Sequence, residues 1–153
     1  MRNFFMPAAV IVAAVLLASC TAMKQPIDTG IKNGAFAACP SSPNCVSSDA
    51  VDEGHRIEPL RLKSDPVKVW TALEEELAAR PRTRIMMQTP DYLHAEEKSR
   101  IFGFVDDIEF HLRPAEEIIA VRSASRVGYS DLRVNRRRVE KIRTALQKRG
   151  LVE

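Results

Sequence analysis

The stretch IFGFVDDIEFHLRPAEEIIAVRSASRVGYSDLRVNRRR, residues 101–138, decides how this chain folds. Asp107 to Leu112 and Ile118 to Arg126 read as two strands joined across Arg113-Pro114-Ala115-Glu116-Glu117. Side chains alternate along a strand, so Ile108, Phe110 and Leu112 share one face and Asp107, Glu109 and His111 the other. On the second strand Ile119 and Val121 are apolar, Ser123 and Ser125 follow on the same face, and Arg122 lies opposite. Matching apolar face to apolar face restricts the register to pairs whose residue numbers sum to an odd value. A tight loop then sets Ile108 beside Val121 and Arg122 beside Asp107. A slip by two sets Arg122 beside Glu109. Either register gives Arg122 a carboxylate. Asp106 breaks the alternation. Either the strand bulges there, or Asp106 points inward and needs Ser123 or an arginine as partner.

Working upstream, Ile101 to Val105 reads as a further strand, and Arg84 to Thr89 and Tyr92 to Glu97 as two more, separated by the turn former Pro90-Asp91. Asp65-Pro66 is a helix start, with Asp65 as the cap and Pro66 at the first helical position. Val69, Trp70, Leu73 and Leu77 recur at helical spacing and carry that helix to about Ala79. His55 to Leu62 reads as a short edge strand that tolerates Pro59. Downstream, a last helix starts at Ser130 or Asp131 and ends at Gly150. Leu132, Asn135, Val139, Ile142 and Leu146 form its inward stripe, and Arg136, Arg137, Arg138, Lys141 and Arg143 its basic faces. The expected fold is α+β: an antiparallel β-meander of about five to six strands with two helices packed on one face.

At 153 residues the chain suits one domain, placed at residues 39–153. The formal charge of +3 gives no case for nucleic-acid binding. Ahead of the domain, Arg2 and the apolar run Phe4 to Leu16 read as a targeting segment, residues 1–19. The run is shorter than the roughly 20 residues of a membrane-spanning helix. It ends in Leu17-Ala18-Ser19-Cys20, which resembles the lipobox of bacterial lipoproteins. That resemblance implies a signal peptide cleaved before Cys20 and acylation, including palmitate, of Cys20. Several acyl chains anchor stably where one holds marginally. Thr21 stands where an aspartate would resemble an inner-membrane retention signal, so the periplasmic side of the outer membrane is the favoured address. Residues 20–38, with Pro26, Gly30 and Gly34, read as a tether from lipid to domain. In an oxidising envelope Cys39 and Cys45 are left to form a disulfide. Metal is the alternative, but structural zinc wants four ligands and His55, His94 and His111 are the sole histidines. Nothing calls for a cofactor.

Three runs, CPSSPNCVSS at 39–48, FGFVDDIEF at 102–110 and RSASRVGYSDLRVNRRRV at 122–139, together resemble a bacterial family called domain of unknown function 1499. The resemblance implies a secreted or membrane-attached protein and assigns no catalytic residue. The family pattern more often has glycine where this chain has Arg133.

Three functions fit these residues. The first is binding of an anionic small molecule or envelope component by Arg122, Ser123, Ser125, Arg126, Ser130 and Arg136, which lead from a strand to a helix N-terminus. The acidic cluster Asp106, Asp107 and Glu109 would compete for those arginines. The second is hydrolysis by Asp107, Glu109 and His111, with Ser47, Ser48 and His55 as further nucleophile and base types. No nucleophile-elbow motif accompanies them. The third is a structural or interaction role, in which the membrane-anchored domain meets an envelope protein or an anionic membrane surface. The reading chosen is a lipid-anchored envelope protein with a non-catalytic binding or interaction role.

Overall fold

The computed structural model describes residues 28–153. The targeting segment, Cys20 and the start of the tether lie outside the described residues. The order of elements is β1 (Ile31–Lys32), β2 (Ala35–Phe36), β3 (Cys45–Ser47), β4 (Leu60–Arg61), α1 (Pro66–Ala78), β5 (Thr83–Gln88), β6 (Tyr92–Lys98), β7 (Val105–Arg113), a 3₁₀ turn (Pro114–Glu116), β8 (Ile118–Ser125) and α2 (Val134–Lys148). The fold is α+β. Strands β3-β8-β7-β6-β5 run antiparallel, with β4 on the same edge of β8 as β3. β1 and β2 form a separate hairpin.

Both helices pack on one face of the sheet. Val69, Trp70, Leu73 and Leu77 of α1 and Val139, Ile142 and Leu146 of α2 share one core with Leu93, Ala95, Ile108, Phe110, Ile119 and Val121. α1 begins as its sequence dictates: Asp65 accepts a hydrogen bond from the Lys68 N–H at 3.0 Å, and Pro66 occupies the first position. β5, the far edge strand, carries a bulge between Ile85 and Met87, a device that discourages edge-to-edge pairing.

The β7–β8 register pairs Ile108 with Ser123 and Glu109 with Arg122, the slipped of the two alternatives. Pro114 explains the choice. The tighter register leaves a two-residue loop with Pro114 first, where favoured hairpin turns need a positive φ that proline cannot adopt. The loop widens instead to the 3₁₀ turn, and Glu117 takes the positive φ, +55°.

Several boundaries differ from the sequence reading. Residues 99–104 are a loop, and one continuous strand runs from Val105 to Arg113. The apolar residues Ile101, Phe102 and Phe104, which suggested a strand, are solvent-exposed. Between His55 and Leu62 only Leu60–Arg61 form a strand. Residues 31–36, read as tether, form the β1–β2 hairpin, and Phe36 is buried against Tyr92 and Ala120. α2 starts at Val134, because Leu132 and Arg133 adopt left-handed backbone, φ +52° and +64°. Leu132 is therefore turned outward instead of joining the inward stripe. Arg138 takes an inward place expected to be solvated. The left-handed backbone also gives a physical reason for a glycine at the Arg133 position.

Candidate functional site

The sheet face opposite the helices carries Tyr92, His94 and Glu96 from β6, Asp107, Glu109, His111 and Arg113 from β7, and Arg122 from β8, as the registers require. It is polar, yet mostly buried. Arg122 and Glu109 sit at its centre without exposed surface. Arg122 Nη1 donates to Glu109 Oε2 at 2.7 Å. The other oxygen, Oε1, accepts from the Tyr92 hydroxyl at 2.8 Å and from the Gly30 N–H at 2.6 Å. Burial, and then the Glu109 carboxylate, push the Tyr92 hydroxyl well above its ordinary value, so it stays a donor. Arg122 Nε and Nη2 have no hydrogen-bond partner.

A second set lies toward the β6–β7 loop. Arg126 holds Asp107 with both prongs, Nε to Oδ2 at 2.8 Å and Nη2 to Oδ1 at 2.7 Å. Its Nη2 also donates to Glu96, and His94 Nε2 donates to Asp107 Oδ1 at 2.7 Å. Burial pushes the Asp107 carboxyl up, but the hydrogen bonds from Arg126 and His94 outweigh it and hold it below the usual carboxylate value. The Asp107 hydrogen bond, against some burial, raises the Arg126 guanidinium. At the other end Arg113 Nη2 donates to Asp49 at 2.7 Å and its Nε to His111 Nδ1 at 3.1 Å. Burial, and then Arg113, push His111 below its ordinary value.

The third set is on the helix side. Asp106 points inward and accepts from Arg138 Nη2 at 2.5 Å. Of the two readings of Asp106, the inward one with an arginine partner holds. Arg138 Nη1 also donates to Ser123 and Asn135, and its Nε lies 3.2 Å from Glu97. Asn135 Nδ2 donates to Ser125 Oγ and to the Asn44 carbonyl. Asp131 accepts from the Arg133 and Asn135 N–H groups, both at 2.8 Å. The amides at the start of α2 thus have a carboxylate of the chain itself.

The structure therefore divides the six proposed anion-binding residues. Arg122 and Arg126 are on the charged face, Ser123 and Ser125 under the helices. Ser130 is exposed in the loop before α2, where its hydroxyl accepts from the Leu132 N–H at 3.3 Å. Arg136 Nη2 donates to the carbonyls of Gly54 and Arg56, clipping the 54–56 loop to α2. A hollow of about 470 Å³ opens beside it, between Pro43, Cys45, Gly54, Asp131 and Arg133. Asp106 is separated from Asp107 and Glu109 by the sheet itself. Ser47, buried on β3, and His55, whose Nδ1 lies 2.7 Å from Asp52, do not meet His111. Cys39 and Cys45 are disulfide-bonded. Among the described residues no group of three His, Cys, Asp or Glu side chains is placed to hold a metal ion. No helix among them is long and apolar enough to cross a membrane.

The sequence reading did not single out Tyr92, His94, Glu96 or Asn135 as site residues. Tyr92, His94 and Glu96 alternate along β6 and were a signal of a second polar face. Asn135 stood on the apolar stripe of a helix, where a buried amide needs partners.

The runs 39–48, 102–110 and 122–139 meet around Asn135. Asn44, Asp106, Ser123, Ser125, Asp131 and Arg138 all come from them. Residues 35–146 match the family described as protein of unknown function (DUF1499). The chain belongs to that family. No curated protein and no solved structure matches the chain. Within this DUF1499 domain the joined runs form a structural pin between the disulfide loop, β7, β8 and α2.

Proposed function

We propose that this chain is a lipid-anchored protein of the bacterial envelope with a non-catalytic binding or interaction role, and that its buried charges are framework. One observation carries the reading: Asp106, Asp107, Glu109, Arg122 and Arg126 are each held by another side chain of the protein, and Arg136 by two backbone carbonyls. Asp107 and Glu109 have no exposed surface and four side-chain partners between them, Arg126, His94, Arg122 and Tyr92. A general acid or base must reach a substrate proton, and these cannot without dismantling the sheet face. The lipobox-like Leu17-Ala18-Ser19-Cys20 supports the anchor.

Two measurements test this. The mass of the protein extracted from membranes should correspond to cleavage before an acylated Cys20, and Cys20→Ala should abolish acylation. In thermal unfolding, phosphate, acetate and citrate should leave the wild type unshifted beyond their general salt effect, while Arg126→Ala lowers the melting temperature. An anion-specific rise in the wild type that Arg126→Ala removes would establish a ligand site and end the framework reading.

A further inference from the structure

We infer that the end of the sheet bearing the β6–β7 loop is a docking surface for an anionic phospholipid bilayer. The inference rests on the lipid-anchored reading and assigns the anchored domain an orientation. Two loops lie at this end, joined at their base by the hydrogen bond from the Arg126 N–H to the Val105 carbonyl, 3.2 Å. Their apolar side chains face water: Ile101 is 82%, Phe102 73%, Phe104 52%, Tyr129 77% and Leu132 78% exposed. Phe102 and Phe104 stack on each other with ring centroids 5.5 Å apart, so the pair presents one aromatic tip. Single exposed apolar residues are ordinary, but a cluster on adjoining loops marks a contact surface.

The backbone holds Leu132 outward at a cost. Leu132 and Arg133 are consecutive non-glycine residues in left-handed conformation, which L side chains disfavour. Strain of that kind with no packing in return is characteristic of residues that meet something else.

Charge identifies the occupant. Glu96, Glu97, Asp106 and Asp107 at this end are all ion-paired to Arg126 or Arg138. Asp131 accepts the amides at the start of α2. Among the described residues, Lys98, Arg100, Arg133 and Arg137 form no ion pair with a carboxylate, and all four are exposed. Apolar tips with such cations beside them, Lys98 and Arg100 flanking Ile101 and Phe102 in the chain, Arg133 following Leu132 and Arg137 donating to the Leu132 carbonyl, match the arrangement of an anionic headgroup layer above acyl chains. Geometry permits it. Gly30, where the chain from the anchor reaches the sheet, bonds Glu109, four residues or about 13 Å along β7 from Val105. The eight residues from Cys20 to Asp28 reach at most about 27 Å. The anchor can therefore be in the same bilayer that the tip touches.

The test uses the full-length product with its anchor, carrying Phe102→Trp and reconstituted in phosphatidylcholine vesicles with or without phosphatidylglycerol. Trp70 is buried in the core and gives a constant background. The new tryptophan should shift to the blue and be quenched by brominated acyl chains when phosphatidylglycerol is present. Arg100→Ala with Arg133→Ala should move the docked–undocked equilibrium about 25-fold toward undocked, at about five-fold for each basic side chain. A tryptophan that stays in water, or quenching equal with and without phosphatidylglycerol, overturns the inference. So does a tryptophan shielded only when envelope proteins are added, which would make the surface a protein interface. Co-flotation with vesicles reads the anchor separately: failure to float sinks the lipid-anchored reading, whatever the tryptophan reports.

Discussion

The two faces of the central sheet are both largely dry, and, apart from the Asp106–Arg138–Asn135 cluster at one end of the helix side, they are built from opposite materials. Under the helices, Leu73, Leu77, Phe110, Ile119 and Val139 interlock as hydrocarbon. Across the same strands, Arg122, Glu109, Asp107 and Arg126 are buried as charges, covered in part by the short hairpin that brings Gly30 and Phe36 onto them. The apolar face gains free energy from each methylene removed from water. The charged face gains little net energy, since desolvation offsets most of the attraction. What it does gain is uniqueness. Arg122 meets Glu109 in only one register, and a one-residue slip of β8 would turn Arg122 toward the helix core.

That contrast breaks most visibly at Arg122. Arg122→Met alone should cost about 3–5 kcal/mol in denaturant unfolding, because it strands a buried Glu109 carboxylate. Adding Glu109→Met should recover most of the loss, or exceed wild-type stability. If the double variant is no better than the single one, the pair is a stabiliser and the two faces are less different than they look. On the other face Leu73→Ala should cost about 2–5 kcal/mol, and no substitution elsewhere should rescue it, since a cavity has no charge to cancel. The two losses should add when Leu73→Ala is combined with Arg122→Met, as for separate sites.

Phe36→Ala tests the lid over the charged face. It should cost about 2–3 kcal/mol, below the full value for a core phenylalanine because the hairpin lies at the margin. Amide exchange at Gly30 should accelerate more than exchange in α2. Equal acceleration in both would make the hairpin part of the main core.

The faces should also differ in their response to acid. His111 is held below its ordinary value, so the unfolded chain takes up its proton first as the pH falls. Stability present above about pH 6.5 is lost toward the folded value. Asp107 is likewise held low, and its contribution is lost further down, below about pH 4. His111→Gln should flatten the first fall and leave the second. A first fall unchanged in the variant would assign it to another group. The smallest effect belongs to the loop tip, where Phe102→Ser should change stability by no more than about 0.5 kcal/mol.

The amino-acid sequence alone determined the α+β class, the capped start of α1, the hairpin faces and the fact that Arg122 opposes a carboxylate. Those are local matters: strand alternation, helical spacing and the chemistry of Asp65-Pro66 act over a few residues. Tertiary structure decided the rest. It gave Asp106 to Arg138 across 32 positions. It left Ile101, Phe102 and Phe104 in water, although their composition suggested a strand. Which partner a charge finds, and whether an apolar run is covered, depend on elements far along the chain, and no local pattern encodes them.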